Sequence, residues 1–408
     1  MRERILYFCQ IHASLIALQL LMKFPPVKSD IMRNLAGILL ILLFFHPDTQ
    51  AQHRFQAANL LFEPRVNYGF LAAHHIEMQI YNSHFLSFEF SLATATYGKR
   101  QWESLYNYPV TGVTYWNAQL GNNRDLGQAN AVFPFIRFPW LKTDHQEINF
   151  RLGAGLAYLT KKFDRLENYK FTAIGSHLNA AINLMIEYRW KPVHYLQVSG
   201  GIQLMHFSNG STKTPNYGLN IPALSASVSF RLNKENPYIR RRIRPSLTMF
   251  EFDKSETIEI KIGTTFAVKE IGDLNGERYP VYTGFITAMR NLSYKSKLGL
   301  CFDVSWDGSD ALLVRKTNPE PYKKSELTKP GVALAYEMVL ARLSFAFNLG
   351  FYMGGKDKSE GMSYYKMGLH YLITPHIFAN LTLKTHFARA DFVGLGIGYR
   401  FKWKYYLK

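Results

Sequence analysis

Cysteine is nearly absent: the 408 residues hold two, Cys9 and Cys301, which excludes a disulfide framework and a cysteine zinc site. Acidic residues are few beside basic ones, 30 against 48, giving a formal charge of +18. That imbalance fits nucleic acid, an anionic membrane surface or an acidic ligand, and says nothing about fold. No glycine-rich phosphate loop, HExxH or GxSxG string occurs, which removes the commonest nucleotide-binding, metalloprotease and hydrolase signatures. Long apolar runs are missing as well. The stretch LAGILLILLFF at 35–45 has 11 residues, short of the ~20 that a membrane-spanning helix needs.

That short run has another use. Met32-Arg33-Asn34 precedes it, and Pro47 and the small-residue end Thr49-Gln50-Ala51 follow, the order of a cleavable secretory signal. We therefore expect residues 1–51 to be an N-terminal extension plus signal peptide, with the true start at Met32 and export across the inner membrane. Removing 1–51 leaves 43 basic against 27 acidic residues, or +16.

The whole chain is 47% hydrophobic and 15% aromatic, too greasy for disorder, and beyond residue 51 it alternates with period two over long segments. In 176–190, Leu178, Ala180, Ile182, Leu184, Ile186, Tyr188 and Trp190 oppose Asn179, Asn183, Glu187 and Arg189. The same pattern recurs at 84–96, 146–158, 298–306 and 343–351. Soluble strands average ~5–6 residues; these approach a dozen, enough for a tilted strand to cross a bilayer. Trp140, Trp190, Trp306 and the aromatic end Phe401–Tyr406 fall at segment ends, as interfacial girdles do.

The fold expected is all-β: a transmembrane antiparallel β-barrel of the bacterial outer membrane, with about 14–16 strands by template matching. Residues 52–408 are read as one barrel, with halves at 52–232 and 233–408. Short internal matches suggest a duplicated half-barrel: 106–117 with 278–291, 204–209 with 384–389, and 227–232 with 396–401. The basic joint NKENPYIRRRIRP at 233–245 is taken as an inter-strand connection.

Chemistry concentrates at HFSNG, 206–210, followed by KTPNYGLN, 213–220. His206 and Ser208 are two apart and so share a face, about 6.6 Å apart along a strand. They end the greasy row Leu196, Val198, Ile202, Leu204, which places them outward at the membrane rim. A histidine beside a serine hydroxyl is the minimum for base-activated nucleophilic attack. His74-His75 is read as a solvated turn pair, and Lys402–Lys408 as girdle residues, with no nucleic-acid surface.

The H-x-S-N strand end with P-N-x-G following resembles the PagL-like, acyloxyacyl hydrolase family of outer-membrane lipid A deacylases. The resemblance covers about 65–232 and is strongest over 150–232. It implies His206 as general base, Ser208 as nucleophile, and Asn209, Gly210 and Asn216 in oxyanion binding and loop shape. Twelve residues after the serine the family usually has a glutamate; here Asn220 stands in its place. An amide orients an imidazole without supplying a full charge. In the second half His386 is followed by Ala388, so that copy lacks the nucleophile.

The function implied is serine-esterase hydrolysis of an ester-linked acyl chain of lipid A, in lipopolysaccharide of the outer leaflet, without a metal or other cofactor. The alternatives are a non-catalytic outer-membrane channel and a lipopolysaccharide-binding structural barrel. The inward positions Asn183 and Gln203 are expected to accept charge; the outward ones are not.

Overall fold

Among the described residues, alternation becomes sixteen antiparallel strands of 10 to 16 residues, long enough that each can cross a bilayer when tilted. The structure is a computed structural model that describes residues 60–232 and 257–404, apart from 74, 82, 99, 194, 273–275, 318–320, 358–360 and 388. The expected signal at 1–51, the joint at 233–245, and Ala388 lie outside the described residues.

The strands close twice. β1 (Leu60–Phe70), β2 (His84–Ala95), β3 (Val110–Gln119), β4 (Gln128–Lys142), β5 (Gln146–Leu159), β6 (Leu178–Val193), β7 (Leu196–Ser208) and β8 (Leu219–Arg231) form one barrel, sealed where β8 pairs with β1. β9 (Thr257–Glu270), β10 (Arg278–Asn291), β11 (Ser296–Asp307), β12 (Thr328–Leu340), β13 (Leu343–Tyr352), β14 (Ser363–Leu372), β15 (Ile377–His386) and β16 (Arg389–Lys404) form a second, sealed by β16 on β9. Sixteen strands agree with the expected count. The expectation of one wall around one lumen is corrected, because β8 bonds back to β1 and leaves no edge for β9. Full closure removes the unpaired backbone groups that hydrocarbon cannot satisfy.

Two of the three internal matches fall on equivalent strands, β7 with β15 and β8 with β16. The third pairs β3 with β10, which hold different places in their barrels. Only the first two are therefore consistent with a repeated eight-strand unit.

Side-chain parity follows the sequence pattern. Leu86, Phe88, Phe90, Leu92, Ile202 and Leu300 are exposed on the outside, as a lipid-facing band requires, while Asn183 and Gln203 are buried inside. The interior is packed. Near the β7–β8 end it is apolar, with Trp116 and Phe207 edge-on at 5.4 Å and Phe133 and Leu219 beside them. Towards the other end Arg65, Arg137 and Arg189 converge on Glu63 and Glu187 at 2.5–2.9 Å, all essentially buried. Beside them Arg151 reaches Glu89 at 2.8 Å and Asn183 at 2.9 Å.

The second interior is likewise ion-paired: Lys297 with Glu259, Lys366 with Asp303, and Lys269 with Asp391 at 2.6–2.8 Å. His386 points inward there and bonds the Tyr352 hydroxyl at 2.9 Å, as its parity required.

This packing corrects the tolerance expected at Asn183 and Gln203. Asn183 accepts from Arg151 and donates to Gln203, so a charge there enters a filled network. The expected outcome is asymmetric: Asn183→Asp, beside a guanidinium, is tolerated and Asn183→Lys is not. On the outer face Ile202→Arg should cost ~2–4 kcal/mol. Urea unfolding in detergent measures both; equal tolerance on the two faces contradicts the register.

Candidate active site

β7 ends its outward row on His206 and Ser208, with Phe207 turned inward between them and fully buried. That inward aromatic, locked against Trp116, anchors the strand end and so fixes the outward direction of its two polar neighbours. On the neighbouring strands His206 stands opposite Asn220 of β8 and Ile182 of β6, and Ser208 stands opposite Ala180.

The cross-strand pair makes the contact that the sequence spacing suggests. His206 Nδ1 lies 2.6 Å from Asn220 Oδ1. An amide oxygen accepts, so Nδ1 carries the hydrogen and the ring lone pair sits on Nε2. The Asn220 backbone carbonyl accepts from the Ala72 N–H at 2.9 Å, which ties this strand end to the 71–83 connection.

The turn after Ser208 is held from several sides. Asn209 donates its amide hydrogens to Ser176 Oγ at 3.0 Å and the Lys213 carbonyl at 2.9 Å, and its Oδ1 accepts from the Lys213 N–H. Its own N–H donates to Asn216 Oδ1 at 2.9 Å. Asn209 thus braces the turn, with both ends of its side-chain amide engaged. Asn216 differs: its Oδ1 is fixed, while its Nδ2 is buried with no protein partner. A buried, oriented, unspent donor two residues before Gly218 is costly unless something accepts from it.

Two glycines are required by conformation. Gly210 has φ +60° and Gly218 φ +82°, in the left-handed region. A Cβ on Gly218 would come within 2.8 Å of His206 Cε1. Gly218→Ala is therefore expected to displace the imidazole and strain the turn, lowering catalysis at least about tenfold while the barrel still folds. Activity at the parental level in folded protein contradicts this placement of the ring.

Sequence reasoning did not find several neighbours of the site. His75, at a bend and partly exposed, stacks its ring on Tyr217 at 4.0 Å and 21°, joining the 71–83 connection to the 209–218 turn. His74 lies outside the described residues. Ser176 braces Asn209 from the 160–177 connection. Glu270, in the second barrel, accepts from Thr214 Oγ1 at 3.0 Å. Each is a contact between segments far apart in sequence, and no local pattern announces it. Among the described residues no cluster of side chains is suited to hold a metal ion.

Residues 87–229 match the family model described as Lipid A 3-O-deacylase (PagL), a span that includes the whole site. Residues 252–403 match the model of the Acyloxyacyl hydrolase, C-terminal domain. The second match spans nearly its whole barrel, while the first begins within β2 and runs almost to the end of β8. Among curated protein sequences none matches. Solved structures similar in fold include the outer membrane enzyme PagL, at 14% identity over 40% of this chain and 97% of that one, with a TM-score of 0.28. Neisserial surface protein A is similar at 10% identity over 42% of this chain and 97% of that one, TM-score 0.29. A Rhodopseudomonas blastica porin mutant has 7% identity over 84% and 99%, TM-score 0.17. These three likenesses decide nothing about activity.

Proposed function

Given a chain that resembles the lipid A deacylase family along both barrels, we propose that it hydrolyses an ester-linked acyl chain of lipid A at the outer membrane, with Ser208 as nucleophile. The observation that carries this reading is the His206–Asn220 pair at the lipid-facing end of β7, with Ser208 on the same row. Its location suits a substrate whose ester lies at the boundary between acyl chains and headgroup. The net positive charge favours a phosphorylated headgroup.

In the proposed reaction His206 Nε2 takes the Ser208 hydroxyl proton as Oγ bonds to the ester carbonyl carbon. The tetrahedral oxyanion accepts from Asn216 Nδ2, a donor already held in place by the Asn209 N–H on its other end. A preorganised donor of this kind contributes about 3 kcal/mol. The C–O bond to the sugar side then breaks, and the proton on His206 goes to the leaving alcohol. Water, deprotonated by the same histidine, releases the fatty acid and restores Ser208. Asn220 keeps the ring oriented and supplies a dipole where a carboxylate would supply charge. No step of this chemistry calls for a metal.

A serine-directed fluorophosphonate tests the nucleophile apart from the substrate. Wild-type protein should take the label on Ser208, located by peptide mass spectrometry, and Asn216→Ala should slow labelling about a hundredfold. Label on another serine, or none, removes Ser208 from the mechanism.

A further inference from the structure

The turn after Ser208 is seated on the second barrel. Glu270, last residue of β9, lies on the outward row with Phe266 and Val268, a row that otherwise meets solvent or lipid. Yet Glu270 is buried, because residues of the 209–218 turn cover it. Its N–H donates to the Ser211 carbonyl at 2.8 Å, and its Oε1 accepts from Thr214 Oγ1 at 3.0 Å. From β16, the Ala390 carbonyl accepts from Ser211 Oγ at 2.7 Å. Val393 packs so tightly under Gly210 that a Cβ there would stand 2.2 Å from Val393 Cγ2.

The conformation of the turn gives these contacts a purpose. Ser211 has φ +64°, a left-handed setting that is unfavourable for a serine and persists only when the surroundings hold it. Both polar groups that Ser211 offers outward, its carbonyl and its hydroxyl, are bonded to the second barrel. On the opposite side the turn rests on Gly175 of its own barrel, where a Cβ would reach the Thr214 and Pro215 carbonyls at 2.9 Å. The two barrels also meet at the other end, where the Tyr106 hydroxyl donates to the Lys295 and Val339 carbonyls at 3.2 and 3.0 Å. The turn is thus held between the second barrel and Gly175 of its own, and it carries Asn216.

We propose that the second barrel is a positioning element for the catalytic turn of the first, with Glu270 as its positioning residue, fixing 209–218 so that Asn216 is presented to the carbonyl attacked by Ser208. This rests on the deacylase reading for its substrate, though not for the docking itself. It gives the second half of the chain, which lacks its own His-x-Ser pair, a role in the reaction. Glu270 touches no substrate; it acts through Thr214 and Ser211.

The test uses the full chain in detergent micelles, with heat-modifiable mobility as the check that both barrels are closed. Three quantities are read: hydrogen exchange over 209–218, fluorophosphonate labelling of Ser208, and KM and kcat for acyl release. Glu270→Ala and Thr214→Val should each raise exchange in the turn and lower labelling rate and kcat about tenfold, with KM within about twofold. The double variant should be no worse than either single one, because both remove the same bond. Glu270→Gln, which keeps an acceptor oxygen, should behave as wild type. Gly210→Ala should lose activity and regain part of it when Val393→Ala removes the colliding methyl. Leu395→Ala, exposed further along β16, should change nothing.

Unchanged exchange and labelling in Glu270→Ala overturns the proposal, as does a double variant whose losses multiply to about a hundredfold. A wild type that takes the label yet releases no acyl chain overturns the lipid A reading alone. The exchange and labelling comparisons then still decide the docking role.

Discussion

Ser208→Ala and His206→Asn are each expected to reduce acyl release by roughly 10⁴-fold or more, with closed barrels and membrane insertion intact. Both side chains lie on the outside of β7, away from the packed interior, so neither change opens a cavity or strands a buried charge. The double variant should be little worse than either single one, because the proposed nucleophile and base would act as one unit. Asn220→Ala should lose less, since the amide orients His206 Nδ1 without carrying charge. Folded Ser208→Ala that retains full activity excludes the proposed nucleophile.

Glu187→Ala should be the most destabilising single change in the first barrel. Glu187 meets Arg65 at 2.5 Å and Arg137 and Arg189 at 2.8 Å, with all four side chains out of solvent. Its removal leaves three guanidinium groups facing chiefly Glu63. Breaking one partner out of such a buried network costs about 3–5 kcal/mol. The expected readout is a large fall in the urea midpoint in detergent, or loss of the heat-modifiable folded band. An unchanged midpoint means that the cluster does not support the barrel. Glu187 faces inward and touches nothing in the site, so any activity lost should track the unfolded fraction.

The strands were legible because alternation is local: Leu184 exposed and Asn183 buried follow from the pattern of a single segment. Closure was not. Whether Leu61 pairs with Arg231, as it does, or β8 runs on to β9 depends on partners some 170 residues apart, and the same greasy row serves either arrangement. The site divides in the same way. His206, Ser208 and Asn220 could be placed from one strand's parity and a motif's spacing. The brace formed by Asn209 with Ser176, the His75–Tyr217 stack and the Glu270 contact join distant segments. Asn209 and Asn216 look alike in sequence. Only the hydrogen-bond partners separate a side chain already spent from one with a donor to give.

The most direct measurement is mass spectrometry of lipid A from membranes carrying the wild-type chain, the Ser208→Ala variant, or neither. The account predicts loss of one ester-linked acyl chain, with the matching free fatty acid, in the wild-type sample alone. Intact lipid A in all three, with the wild type folded in the outer membrane, contradicts it and favours a non-catalytic outer-membrane protein.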